Sequence, residues 1–152
     1  MKSARFLLVF PFVVACGEPL IPMDEPGEHF RLVDVDGAAV PAPLNGISTG
    51  PLTLEEGELL LAPMNRATIA AAIRFQGTKD TTITKTTHHA YLIRGDSVVM
   101  CASTIPPDPE SIAVAAQNRS CVAGSYSRDD IQIPYVDGAW LQMNHTYHFV
   151  HR

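Results

Sequence analysis

The sequence predicts an all-β fold: a small antiparallel up-and-down β-barrel of about eight strands, with one short helix near residues 110–117. Three observations point there. Short β-rich runs follow one another with no alternation of strand and long helix. They are joined by tight-turn dipeptides such as Asp36-Gly37, Gly95-Asp96 and Asp137-Gly138. The order of the runs is a simple meander, which favours a barrel over a sandwich. A chain of 152 residues is one domain's worth of material. Its 16 acidic against 11 basic side chains, net −5, supply no basic footprint for a nucleic-acid backbone. Charged residues at 18% are too few for a disordered polyelectrolyte.

Residues 1–15 read as a secretion signal. Lys2 and Arg5 precede the apolar run Phe6 to Val14, which stops at the small residue Ala15. The run is shorter than the roughly 20 residues a spanning helix needs. Residues 16–27, with Pro19, Pro22 and Pro26 closely spaced between Gly17 and Gly27, read as a semi-extended tether. The folded domain is expected over 28–152. Loss of Lys2 and Arg5 with the signal leaves nine basic against 16 acidic residues, net −7.

Within the domain, Phe30 to Val35 is β-rich and ends at Asp36-Gly37, which suits positive backbone angles; Val40 and Pro41 extend it past a bend. Residues 43–51, with Asn45-Gly46 and Gly50, read as a loop. Leu52-Thr53-Leu54 and Leu59-Leu60-Leu61 flank Glu55-Glu56-Gly57-Glu58, which reads as a hairpin turn. Ala67 to Phe75 is rich enough in alanine for a helix. However, Ile69, Ala71, Ile73 and Phe75 share one face at spacing two, so strand is preferred. Thr81 to Thr87 leads into Ala90 to Ile93, and the turn Arg94-Gly95-Asp96-Ser97 feeds Val98 to Cys101. Pro106-Pro107-Asp108-Pro109 forbids a regular strand; Asp108 as cap, Pro109 in the first turn and Glu110 near the N-terminus start a helix over Glu110 to Gln117. Strands resume with Val122 to Ser127, Ile131 to Val136 and Ala139 to His151. Pro134 implies an edge position or a bulge.

Two resemblances follow. Val13-Val14-Ala15-Cys16 resembles the lipobox of bacterial lipoproteins, which implies cleavage before Cys16, a lipid on that cysteine, and the membrane as a partner. A plain signal peptide cut elsewhere is the other reading. In that family the residue after the cysteine influences sorting, and Gly17 leans toward the outer membrane. Phe30-x-Leu32-Val33-x-Val35-Asp36-Gly37-x-x-x-Pro41, with Gly124-Ser125-Tyr126 before Ile131-x-Ile133, resembles small lipocalin-like β-barrel lipoproteins of bacteria. That similarity covers most of the mature chain and implies a fold and a location in the cell envelope, with no specific activity.

With Cys16 assigned to lipid, Cys101 and Cys121 remain and are expected to pair in an oxidising compartment, closing the proline-rich excursion. Two thiols serving a metal would want a closer spacing. His145, His148 and His151 look like a metal cluster, but on a strand His145 and His148 face opposite sides, as do His88 and His89; half-exposed barrel residues are the preferred reading. No metal or other cofactor is expected. Gly-x-Ser-x-Gly does not occur. Ser125 reads as structural, Arg94-Gly95-Asp96 as a turn, and Glu55, Glu56 and Glu58 as solvated acids. Asn118-Arg119-Ser120 and Asn144-His145-Thr146 match glycosylation sequons, which matter only outside bacteria. A hydrolase using His88 or His89 lacks a visible nucleophile.

The expected function is a non-enzymatic binding or structural module, with a small apolar ligand or an envelope protein as partner. Phe75, Tyr91, Met100 and Trp140 are the candidates to line a barrel pocket or to fill the core. The alternative is a protein-interaction module, such as an inhibitor of an envelope-attacking enzyme, presenting the loop Ile105 to Arg119.

Overall fold

The computed structural model describes residues 19–44, 52–77, 79–134 and 145–152. Ten strands and one helix follow in chain order: β1 (Glu28–Val35), β2 (Ala38–Ala39), β3 (Ala42–Leu44), β4 (Leu52–Ala62), β5 (Arg66–Phe75), β6 (Thr81–Arg94), β7 (Ser97–Cys101), α1 (Pro109–Gln117), β8 (Cys121–Tyr126), β9 (Asp130–Ile133) and β10 (Tyr147–His151). β4 through β10 pair in sequence, each antiparallel to the next. β1 closes the ring, meeting β10 on one edge (Leu32 opposite Phe149, Val35 opposite Tyr147) and β4 on the other (Phe30 opposite Leu59). The result is the expected antiparallel eight-stranded barrel, with β2 and β3 as short additions to β1 and β4.

Two bulges explain how an irregular sequence keeps one apolar face inside. Phe30 and Leu32 point inward, and plain alternation would send Asp34 after them. The register shift between Leu32 and Asp34 inserts one extra residue, so Val35 turns inward and Asp34 outward. On β4, Leu52 and Leu54 face the core, and a shift between Leu54 and Glu56 moves the inward set to Gly57, Leu59 and Leu61. The acidic run is therefore a bulge inside one continuous strand, and the hairpin turn expected at Glu55 to Glu58 is not there. Changing parity in mid-strand breaks the apolar alternation much as a turn does, which is why the two look alike in sequence. The real turn lies at Met64 and Asn65, both at positive φ.

Elsewhere the local chemistry acts as its residue types dictate. Asp36 (φ 53) and Gly37 (φ 80) make the β1–β2 turn. β5 is a strand, with Ala67, Ile69, Ala71 and Ile73 on the core face. Asp108 caps α1, its carboxylate accepting from the Ser111 amide at 2.8 Å, with Pro109 in the first turn. α1 packs on the outside of the barrel, where Ile112 and Ala115 bury Ala90 and Cys101. Cys101 and Cys121 form the expected disulfide, at facing positions of β7 and β8.

Among the described residues, one apolar cluster packs the barrel interior. Phe30, Leu32, Leu59, Ile69, Met100, Ile131, Tyr147 and Phe149 are all fully buried in one cluster. Part of the stretch expected to be a tether is docked. Ile21 is 2% exposed against Leu60 and Ala70 on the outer wall, and its amide donates to Glu58 at 2.7 Å. Three prolines exclude regular structure, but not a single apolar anchor between them.

Candidate functional site

Of the four residues expected to line or fill a pocket, Met100 lies in the packed core. Tyr91 is half-buried beside it; its hydroxyl donates to the Ala62 carbonyl at 3.2 Å, and burial holds its pKa above the ordinary value. Phe75, at the last position of β5, is 36% exposed and is not part of the buried core. Trp140, the lipid candidate Cys16 and the turn expected at Asp137-Gly138 lie outside the described residues.

Among the described residues, two recesses lie on the outer wall. One, of about 420 Å³, lies where Leu60, Ala62, Arg66 and Thr68 of β4 and β5 meet His88 and Ala90 of β6, bounded by Glu25 and by Ser103, Ile105 and Pro107 of the proline loop. The second, of about 440 Å³, lies on the other side of that loop, between Ile105, Pro106 and the helix residues Glu110, Ser111 and Val114. The disulfide holds this loop at its base, so one covalently pinned excursion carves both grooves.

The histidines divide by environment. His88 is exposed in the first groove, its Nδ1 3.1 Å from the Thr68 hydroxyl. His89, on the opposite face as alternation requires, is 5% exposed and not half-exposed as the sequence suggested. The Cys101 carbonyl, 3.3 Å from Nδ1, can only accept, so Nδ1 carries the proton and Nε2 accepts from the Thr87 hydroxyl at 2.9 Å. Burial lowers the His89 pKa, the Cys101 carbonyl partly opposes this, and the nearby charge of His88 adds to the lowering.

His148 and His145 each meet an aspartate from the β1 end. His148 Nδ1 lies 2.8 Å from Asp34, and its Nε2 is 3.9 Å from Asp130. His145 donates to Asp36 at 2.6 Å, and the Thr146 amide donates to the same carboxylate at 2.7 Å; these bonds hold the Asp36 pKa below its ordinary value. These pairs seam β1 to the start of β10, where the barrel closes. Among the described residues no three His, Cys, Asp or Glu side chains gather closely enough to hold a metal ion.

Arg66 and Thr68 escaped sequence reasoning because they carry no motif. They become groove residues only through the β5–β6 register that sets Thr68 opposite His88. Among the described residues no helix is long and apolar enough to cross a membrane. No family model, curated protein or solved structure matches the chain.

Proposed function

We propose that this chain is a lipid-anchored module of the bacterial cell envelope that binds a protein partner on the outer wall of its barrel. The anchoring half rests on Lys2 to Cys16, with Gly17 leaning toward the outer membrane. The binding half rests on one observation: bulky side chains from β1, β4, β7, β9 and β10 occupy the barrel axis, while the grooves with exposed polar side chains lie outside, around the pinned proline loop. A small apolar ligand held inside would have to displace Met100, Tyr147 and Phe149 from close packing. Recognition is the favoured chemistry: His89 is buried and bonded to main chain and Thr87, and His88 stands exposed in the groove beside the Thr68 hydroxyl.

Expression of the full chain in a bacterial host tests both halves. The expected result is a membrane-bound product whose mass fits a lipid on Cys16, released to the soluble fraction by Cys16→Ala. Native mass spectrometry of the released form is expected to retain no small molecule. A mature chain beginning elsewhere would overturn the anchor, and a lipid-like molecule held in stoichiometric amount would overturn outer-wall binding in favour of a carrier.

A further inference from the structure

β6 is 14 residues long and pairs with β5 from Thr81 to Ala90, but β7 covers only Ala90 to Arg94. The mismatch has a cause. The proline pair takes the chain away after Cys101, and the disulfide makes it leave and return at one register position. The rest of the β6 edge is left without a neighbouring strand among the described residues.

The parity of that edge can be read directly. The two-residue turn at Gly95-Asp96 makes Arg94 and Ser97 a hydrogen-bonded pair, so even-numbered residues of β6 direct their main-chain groups toward β7 and odd-numbered ones toward β5. The Tyr91 amide, bonded to the Asn65 carbonyl, fits that parity. The N–H and C=O groups of Thr82, Thr84, Thr86 and His88 therefore point out of the free edge. All four residues are exposed, and no main-chain bond to them is present among the described residues.

A row of this kind is a template for another strand. Lys85 decides which kind. It stands at the centre of the free stretch, exposed, with no ion-pair partner among the described residues. Two copies of this chain using the whole edge would set Thr82 opposite His88 and Lys85 opposite Lys85, in the close non-hydrogen-bonded pairing where like charges repel. A carboxylate in that position would instead be attracted. β6 itself carries no acid; Asp80 precedes it, and the groove at its other end carries Arg66 and Glu25 together, so Lys85 is the one charged side chain along the free stretch. At His88 the edge opens into the groove of about 420 Å³, where Ala90, Ile105 and Pro107 give an apolar lining large enough for a side chain.

We propose that the β6 edge from Thr82 to His88 accepts an extended peptide segment of a partner protein as an added strand, with an acidic side chain opposite Lys85 and a further side chain in the groove at His88. The proposal rests on the reading of the barrel as a protein-binding module, and adds to it a site, a geometry and a peptide chemistry.

The test uses the full chain and two blocked heptapeptides, Thr-Val-Thr-Glu-Thr-Val-Thr and its analogue with Lys in place of Glu, followed by amide hydrogen exchange and titration. The Glu peptide is expected to slow exchange at Thr82, Thr84, Thr86 and His88, leaving the odd-numbered amides of β6 unchanged, and to bind about tenfold more tightly than the Lys peptide. Thr84→Pro removes an edge-facing N–H without touching a bond to β5, and is expected to abolish the protection. Lys85→Glu is expected to reverse the peptide preference, and decides the matter alone if the proline variant does not fold. No protection, equal binding of both peptides, or concentration-dependent dimerisation that protects the same amides without peptide would each overturn the proposal. Capture of a native protein partner with these four amides unprotected would sink the edge while sparing outer-wall binding; a small molecule inside the barrel would sink outer-wall binding itself.

Discussion

Gly124 shows how little slack single positions have. A Cβ there would stand 2.1 Å from the Gln132 carbonyl oxygen and 2.8 Å from Ile133 Cγ2, so β8 and β9 approach as closely as they do only because the side chain is absent. Gly124→Ala is expected to cost about 1–3 kcal/mol in urea denaturation, with β9 shifted outward. Gly57→Ala is expected to cost about as much, because the new methyl would meet both Cδ2 of Leu32 at 2.9 Å and its backbone-fixed Cβ at 3.0 Å in the packed core. His89 sets a pH dependence. Its folded pKa is lowered, so the unfolded chain takes the proton first. The stability it permits is complete above the unfolded value of 6.5 and is lost as pH falls from there toward the folded value. Thermal melts should therefore decline below about pH 6.5, and His89→Gln, which cannot titrate, should flatten that part of the profile. Asp36, whose pKa is lowered by His145, works in the same direction in a more acidic window, below 3.8.

At the scale of elements, the disulfide and the outer-wall anchor can be separated. The cystine spans a sequence separation of 20, and Cys101→Ala with Cys121→Ala is expected to lower stability by about 3 kcal/mol. The loss should appear in the wild type only under reducing conditions, and should loosen α1 before the barrel, since α1 packs chiefly on β6, β7 and β8 among the described residues. Glu58 is the second staple. At 7% exposure it accepts from the Ile21 amide and is paired with Arg152, whose own amide donates to the His29 carbonyl at 2.9 Å. Glu58→Ala leaves the buried Ile21 amide without its acceptor and Arg152 without its carboxylate, and is expected to cost about 1–3 kcal/mol, with residues 19–27 becoming the first site of limited proteolysis.

For the whole molecule, the sequence disclosed what depends on neighbours along the chain. Asp36-Gly37, Asp108-Pro109 and the period of two through Ile69, Ala71 and Ile73 are local statements, and each became the element it implied. The pairing of Cys101 with Cys121 needed only the count of cysteines in the folded domain. What stayed hidden depends on register. Glu55 to Glu58 is a bulge because β5 continues alongside it, Ile21 is buried because Leu60 and Ala70 face outward together, and His89 is buried while His88 is not because of the side of the sheet each occupies. The candidate binding edge was the least legible feature. Its Thr-rich sequence is that of a strand, but its openness comes from a length difference between β6 and β7 that appears only once the two are paired.

The meeting of Ile21 and Arg152 at one carboxylate has a topological consequence. The barrel is a ring of neighbours in which the closing seam, β1 against β10, is the same kind of antiparallel pair as every other seam. Because the segments before β1 and after β10 are already held side by side, the order in which the chain threads the ring is not what defines it. A circular permutant that joins residues 20 and 152 with a short linker and opens the chain between Gly95 and Asp96 would retain every strand pair. It would also turn the β6–β7 hairpin from the nearest contact in the chain into the most distant one.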